Sequence, residues 1–368
     1  MKNKYNFEEI VAQFNYEGCF AQCEPCDSGH INDTFVVTCI KGNGKPIRYI
    51  LQRININIFK SPEKLMENIK NVTTHLKEKI KAVGGNPERE TLNLIDTING
   101  KTFYVSSLGD YWRSYAFIEG AKTYQIVENL KHFYNAGKAL GNFELLLADF
   151  PVEKLHETIP DFHNTRKRYE AFLEALLKNV MNRAKDVQKE IDFVLSHENE
   201  TSILLNLVKE GKLPLRVTHN DTKFNNVMID DETGEGICVI DLDTIMQGLS
   251  LDDFGDSIRS GANPAAEDEK DLSKVCIDLE LYEHFTRGFL EGTDHFLTAT
   301  ELQYLPFSAK IITFELGMRF LADHLNGDIY FKVHRENHNL DRARAQFKMV
   351  MDMEQKFDEM TAIVQKYS

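Results

Sequence analysis

The sequence predicts an α+β protein of two lobes: a small antiparallel-sheet lobe carrying one long helix, then a larger, mostly helical lobe. Two observations carry this reading. Runs of branched and aromatic residues separated by turn signals are concentrated before residue 120, whereas apolar residues recur at helical spacing through most of the chain beyond it. The chain of 368 residues is also about twice the usual domain size, which suits two lobes around a cleft. The expected boundary divides residues 1–120 from 121–368.

A short helix is expected over about residues 6–15, then strands over 19–26 and 34–40 flanking the turn "DSGHIND". "PIRYILQRIN" reads as a third strand. Ser61 as N-cap and Pro62 at the first helical position open the long helix "SPEKLMENIKNVTTHLKEKI". Asn99-Gly100 between two alternating segments signals a hairpin, and "YWRSYAFIEG" comes next as a strand ending at Gly120. From Tyr124 to His197 the pattern is helical, with "RYEAFLEALLKNVMNRAKDVQKEIDFVLSH" as one long run. A single β island, from "LRVTHND" to "ICVIDLDT", interrupts the helices of the second lobe.

Composition narrows the function classes. The formal net charge of −14, with 57 acids against 43 Lys plus Arg and no basic block, disfavours a nucleic-acid partner. No run approaches the roughly 18 apolar residues of a membrane span. The first residues lack the apolar core and cleavage site of a secretory signal, so a cytoplasmic location is expected. Six cysteines in such a chain read as free thiols. No motif points to a partner protein.

The β island carries the chemistry. His219, Asp221 and Asn226 come after an extended run as H-x-D-x-x-x-x-N, and a second strand, "ICVID", delivers Asp241 and Asp243. Two strands joined by a turn thus present an acid, an amide and two further acids at one end. Phosphoryl transfer needs that set: a carboxylate to orient and deprotonate a hydroxyl, and oxygen ligands for the magnesium on a nucleotide's phosphates. The spacing fits the catalytic loop of protein kinases, with Asn220 in place of Arg. Asp221 is assigned as base, Asn226 and Asp241 as metal ligands, and Asp243 as a possible additional ligand.

With these residues the chain resembles the aminoglycoside and choline phosphotransferase family, whose bilobed fold is protein-kinase-like. "GHIND", "RYILQRIN", "PLRVTHNDTKFNN", "IDLDTIMQG", "DFGDSIRSGA", "GMRFLADHLNGDIYF" and "HNLDRARAQ" resemble the branch that phosphorylates the anomeric hydroxyl of N-acetylglucosamine or N-acetylgalactosamine with ATP. The resemblance implies ATP and magnesium as cofactors and a small sugar as substrate. It makes the first lobe nucleotide-binding and the second catalytic and sugar-binding. It implies sugar contacts from His30, Asn225, Arg319 and Tyr330, and a buried acid, Asp253, that steadies the catalytic loop. Arg319 lies in an apolar helix, where an ion pair with Asp323 at i,i+4 is the alternative to a sugar contact. On the nucleotide side, Gly29 lies in the turn between the first two strands. Arg53 is the expected phosphate cation, with Gln52 as the alternative alignment and Glu63 or Glu67 as its helix partner. Adenine is expected near Phe117 to Glu119. Another small hydroxyl compound, such as choline, homoserine or an aminoglycoside, is the alternative substrate.

A reading from a different class rests on "CFAQCEPC". Cys19, Cys23 and Cys26 have the C-x3-C-x2-C spacing of a radical enzyme's iron–sulfur cluster. Extended backbone, however, is expected to place Cys19 and Cys23 on one side and Cys26 on the other.

Overall fold

The computed structural model describes residues 5–26 and 31–368. A short helix, α1 (Phe7–Val11), precedes three antiparallel strands, β1 (Cys19–Pro25), β2 (Asp33–Ile40) and β3 (Pro46–Arg53). The chain then forms α2 (Pro62–Ala82) and a single turn, α3 (Pro87–Glu90), before β4 (Tyr104–Val105) and β5 (Tyr111–Ala116). Sheet order is β1-β2-β3-β5-β4. The Asn99-Gly100 turn closes, with Thr97 N–H donating to Lys101 C=O at 2.7 Å. Its flanks nevertheless form only isolated bridges, because Phe14 and Tyr115 are the partners of Thr97 and Leu94. The expected hairpin of two full strands is therefore reduced to a turn.

The pleat gives this sheet two different faces. Phe35, Val37, Leu51 and Trp112 point to one side, where Ile10, Val11 and Phe14 cover them in a small separate core. Register pairs Gln52 with Thr34 on one flank and with Arg113 on the other, so these three share the opposite face. A bulge between Phe20 and Gln22 shifts the parity of β1. Phe20 and Cys23 consequently pack on the small core while Cys19 is exposed, which corrects the expected pairing of Cys19 with Cys23.

After β6 (Ala121–Lys122) comes α4 (Leu130–Leu146), then α5 (Thr165–Lys178) and α6 (Gln188–Ser196). The long helical run is broken in two because Asn179 and Asn182 adopt left-handed backbone, at φ 38° and 54°. Beyond α7 (Ile203–Lys209), the β island forms β7 (Arg216–Thr218), β8 (Val227–Asp230), β9 (Gly236–Val239) and β10 (Met246–Gly248). The helices α8 (Ser250–Gly261), α9 (Leu279–Thr293), α10 (Ala299–Asn326), α11 (His338–Gln355) and α12 (Phe357–Tyr367) complete the chain. α4 and α9 pack at backbone distance, since Gly137 and Gly141 face Gly288 and Gly292 with no room for a β-carbon at any of them. The main core runs from Leu65, Met66 and Ile69 of α2 through these helices. No helix among the described residues is long and apolar enough to cross a membrane.

Candidate active site

The loop between β7 and β8 is built by hydrogen bonds that its own residue types supply. His219 is buried; its Nε2–H donates to the Ile240 carbonyl at 2.8 Å, which leaves Nδ1 to accept the Asp221 N–H at 3.2 Å. Asn220 takes left-handed backbone at φ 66°, a region that Asn tolerates better than most residues. Its amide donates to Thr218 and Thr244 carbonyls at 3.0 and 2.9 Å. From α8, the buried Asp253 carboxylate accepts the N–H groups of His219 and Asn220 at 2.8 and 2.6 Å, in the steadying position implied by the resemblance. Burial pushes the Asp253 carboxyl up to about 6, against the pull of those two N–H donors.

Within this frame Asp221, Asn226 and Asp241 come together. The Asn226 amide donates to the Asp221 main-chain carbonyl at 2.7 Å, while Ile240 N–H donates to the Asn226 carbonyl at 2.8 Å. The second contact draws the end of β9, and so Asp241, against the loop. Asp241 has left-handed backbone at φ 61° and opens to the cleft. Enclosing protein, then the charges of Asp243 and Asp221, push its carboxyl up to about 6 even though its own surface meets solvent. Asp243, by contrast, is buried; Asn32 donates to it at 2.6 Å and Arg113 forms an ion pair with it.

These donors suit a hard divalent cation. Carboxylate and amide oxygens are its preferred ligands. The Asn226 amide spends its N–H on the Asp221 carbonyl, leaving Oδ1 without a hydrogen bond to any described residue. Asp221, Asp241 and Asp243 lie near one another, and after burial their mutual repulsion is the next cause of the rise at Asp241.

Two cations were missed by the sequence reading. Lys223, two positions after the candidate base, places Nζ 2.8 Å from Asp221 Oδ1. Its place inside the H-x-D-x-x-x-x-N loop was the available signal. Arg113 is the other. Sequence reasoning put the cation on the third strand at Arg53, but the pleat turns Arg53 to the far face of the sheet, where Asp33 and Asp110 hold it at 2.7 and 3.1 Å. Gln52 occupies the inner face, its Oε1 accepting from Arg113 Nε at 3.0 Å. Glu63 and Glu67 do not pair with either: Glu63 accepts from Tyr111, and Glu67 lies 2.8 Å from His156.

Arg48 forms an ion pair with Glu119 and lies 3.9 Å from the centre of the Phe117 ring. Arg89 donates to the Glu119 carbonyl at 3.0 Å and pairs with Asp230 at 2.9 Å, fastening the crossing between sheet and helices. Asn225 donates to Gln125 at 3.1 Å, and its buried Oδ1 has no partner among the described residues. Arg319 lies within 6.0 Å of the Phe162, Tyr330 and Phe331 rings, so α10 does bring Arg319 and Tyr330 together, although Tyr330 is largely exposed. The alternative partner, Asp323, is otherwise engaged: it accepts Ile329, Tyr330 and Phe331 N–H groups at 3.0, 2.9 and 2.9 Å and the Asn339 amide at 2.9 Å. The chain reversal after α10 supplies N–H donors that a distant guanidinium cannot displace. His30 and Gly29 lie outside the described residues.

Among the described residues, Cys19, Cys23 and Cys26 do not form a group of mutually close ligand atoms. Burial pushes the Cys23 thiol up to about 12, far from the thiolate a cluster requires.

An antiparallel sheet with a mostly helical remainder, and these acids in the cleft, is the architecture of a kinase-like phosphotransferase. The chain belongs to the Phosphotransferase enzyme family, which it matches over residues 22–281. Among solved structures it is similar to an amicoumacin kinase in complex with AMP-PNP, Ca2+ and Ami, at 12% identity and a TM-score of 0.59 over 97% of this chain and 94% of that one. It is also similar to an ethanolamine kinase of Plasmodium vivax, at 16% identity and a TM-score of 0.53 over 94% and 85%. A choline kinase from Cryptosporidium parvum gives 15% identity and 0.53 over 94% and 92%. At these identities the likeness is one of fold.

Proposed function

We propose that this phosphotransferase is an N-acetylhexosamine 1-kinase, transferring the γ-phosphoryl group of ATP to the anomeric hydroxyl of N-acetylglucosamine or N-acetylgalactosamine. The observation that carries the kinase part is the meeting of Asp221, Asn226 and Asp241 at one end of the cleft, with Lys223 beside the first. The sugar part rests on the sequence resemblance and on Arg319. A guanidinium repels a cationic acceptor, and Arg319 lies among the Phe162, Tyr330 and Phe331 rings.

Asp221 would orient the sugar hydroxyl and receive its proton, a role worth roughly 10² to 10⁴ in rate. Asn226 and Asp241 would hold magnesium, which when bound neutralises charge on the nucleotide phosphates. Lys223, beside Asp221, sits where its ammonium can meet the phosphoryl oxygens as that group passes from the nucleotide to the acceptor. At the crossing, the Phe117 carbonyl and the Glu119 N–H carry no hydrogen bond to any described residue, which leaves one acceptor and one donor for the edge of adenine. Closure of the cleft would exclude water from the phosphoryl group. The product is the hexosamine 1-phosphate.

The test is ADP release from ATP and magnesium across N-acetylglucosamine, N-acetylgalactosamine, glucose, galactose, choline, homoserine and kanamycin, with Asp221→Asn alongside. Turnover of the N-acetylhexosamines that is lost in the variant is the expected result. Turnover confined to choline, homoserine or kanamycin would overturn the substrate while retaining the kinase, and that alternative has the ethanolamine and choline kinases of like fold in its favour.

A further inference from the structure

We propose that Arg113, on β5, supplies the cation that binds the nucleotide's phosphates, replacing the third-strand lysine of protein kinases. The inference rests on the kinase reading above and adds the residue that the third strand fails to provide. Strand β3 offers no suitable charge: Gln52 faces inward but is neutral, and Arg53 faces away. Arg48 is held at the crossing by Glu119 and Phe117. The antiparallel register sets Arg113 directly beside Gln52, so a cation on β5 occupies the same face one strand over.

The environment of Arg113 is that of a charge kept for a ligand. It is 1% exposed, and a buried guanidinium is costly unless its donors are met. Nε donates to Gln52 and Nη1 faces Asp243, yet Nη2 donates to no described residue. The ion pair with Asp243, two residues after Asp241, ties the guanidinium to the segment that carries a candidate metal ligand. Asp243 in turn is shared between Arg113 and Asn32, which leads into β2 directly after the turn expected to face phosphate. The planar fork of Arg presents donors in parallel, which matches two oxygens of a polyphosphate.

A purely structural ion pair between Arg113 and Asp243 makes the opposite prediction for ligand binding. Affinities for ATP and adenosine are to be measured by calorimetry, with magnesium and without sugar, in the wild type, Arg113→Lys, Asp243→Asn and the double variant Arg113→Gln/Asp243→Asn. The double variant keeps a neutral hydrogen-bonding pair in the buried site, and thermal melting establishes that it folds. Its preference for ATP over adenosine should fall about 10- to 100-fold, the size of one or two charge-assisted hydrogen bonds, with adenosine affinity unchanged. Arg113→Lys should recover part of the preference. An unaltered preference in the folded double variant, or an equal loss in Asp243→Asn alone, would overturn the assignment. A wild type that binds ATP no better than adenosine would overturn the kinase reading itself and this inference with it.

Discussion

The carboxylate of Asp253 accepts the main-chain N–H of His219 at 2.8 Å, so an acid on α8 holds the first residue of the candidate catalytic loop. Because the same group also accepts from Asn220, Asp253→Ala leaves two buried donors without acceptors. Urea unfolding should show a loss of about 2 to 6 kcal/mol, at about 1 to 3 kcal/mol per orphaned group. Asp253→Asn keeps one acceptor oxygen and should lose less.

Removal of divalent metal with a chelator should abolish phosphoryl transfer, and magnesium should restore it. In Asp241→Asn, the magnesium concentration for half-maximal rate should rise by more than the roughly 10- to 100-fold that loss of an outer partner costs a metal site. An unshifted magnesium requirement in that variant would remove Asp241 from the ligand set.

His163 spans two elements, with Nδ1 3.2 Å from Glu315 and Nε2 2.9 Å from the Asn220 carbonyl. Burial alone would lower its pKa, but Glu315, with Asp252 and the Asn220 carbonyl, outweighs burial and raises it to about 9. A raised pKa stabilises the fold fully below about pH 6.5, and this contribution fades as pH rises through about 9. Wild type should therefore exceed His163→Gln in stability by about 1 to 3 kcal/mol near pH 6, with the gap closing near pH 10. Chemical denaturation at both pH values reads the difference directly.

At the contact between α4 and α9, a β-carbon on Gly141 would meet the Phe289 carbonyl, and one on Gly288 the Tyr134 carbonyl. Both obstacles are main-chain atoms that cannot rotate aside. Gly141→Ala or Gly288→Ala should lower stability by about 1 to 3 kcal/mol, despite the higher helix propensity of Ala. Circular dichroism melts of the two variants measure the cost.

Arg319→Ala should raise KM for the proposed N-acetylhexosamine substrate more than it alters kcat, since the guanidinium is placed among the Phe162 and Tyr330 rings. A fall in kcat at unchanged KM would take Arg319 out of substrate binding.

Sequence alone was enough to locate the loop from His219 to Asn226 and the turn at Asp241. Their geometry is local: a strand end, a left-handed Asn or Asp, and side chains that bond to main chain a few residues away. The long helix α2 was legible for the same reason, through its proline start and apolar stripe. Tertiary structure decided which strand arginine faces Asp243. Arg53 and Arg113 both lie on strands of the same sheet, and a shift of one position reverses the face a side chain occupies. It likewise decided that Asp323 serves three N–H groups rather than Arg319, because the chain reversal that brings them there lies beyond the helix. Periodicity determines the state of the backbone, but strand register and the return of distant chain determine which charges meet.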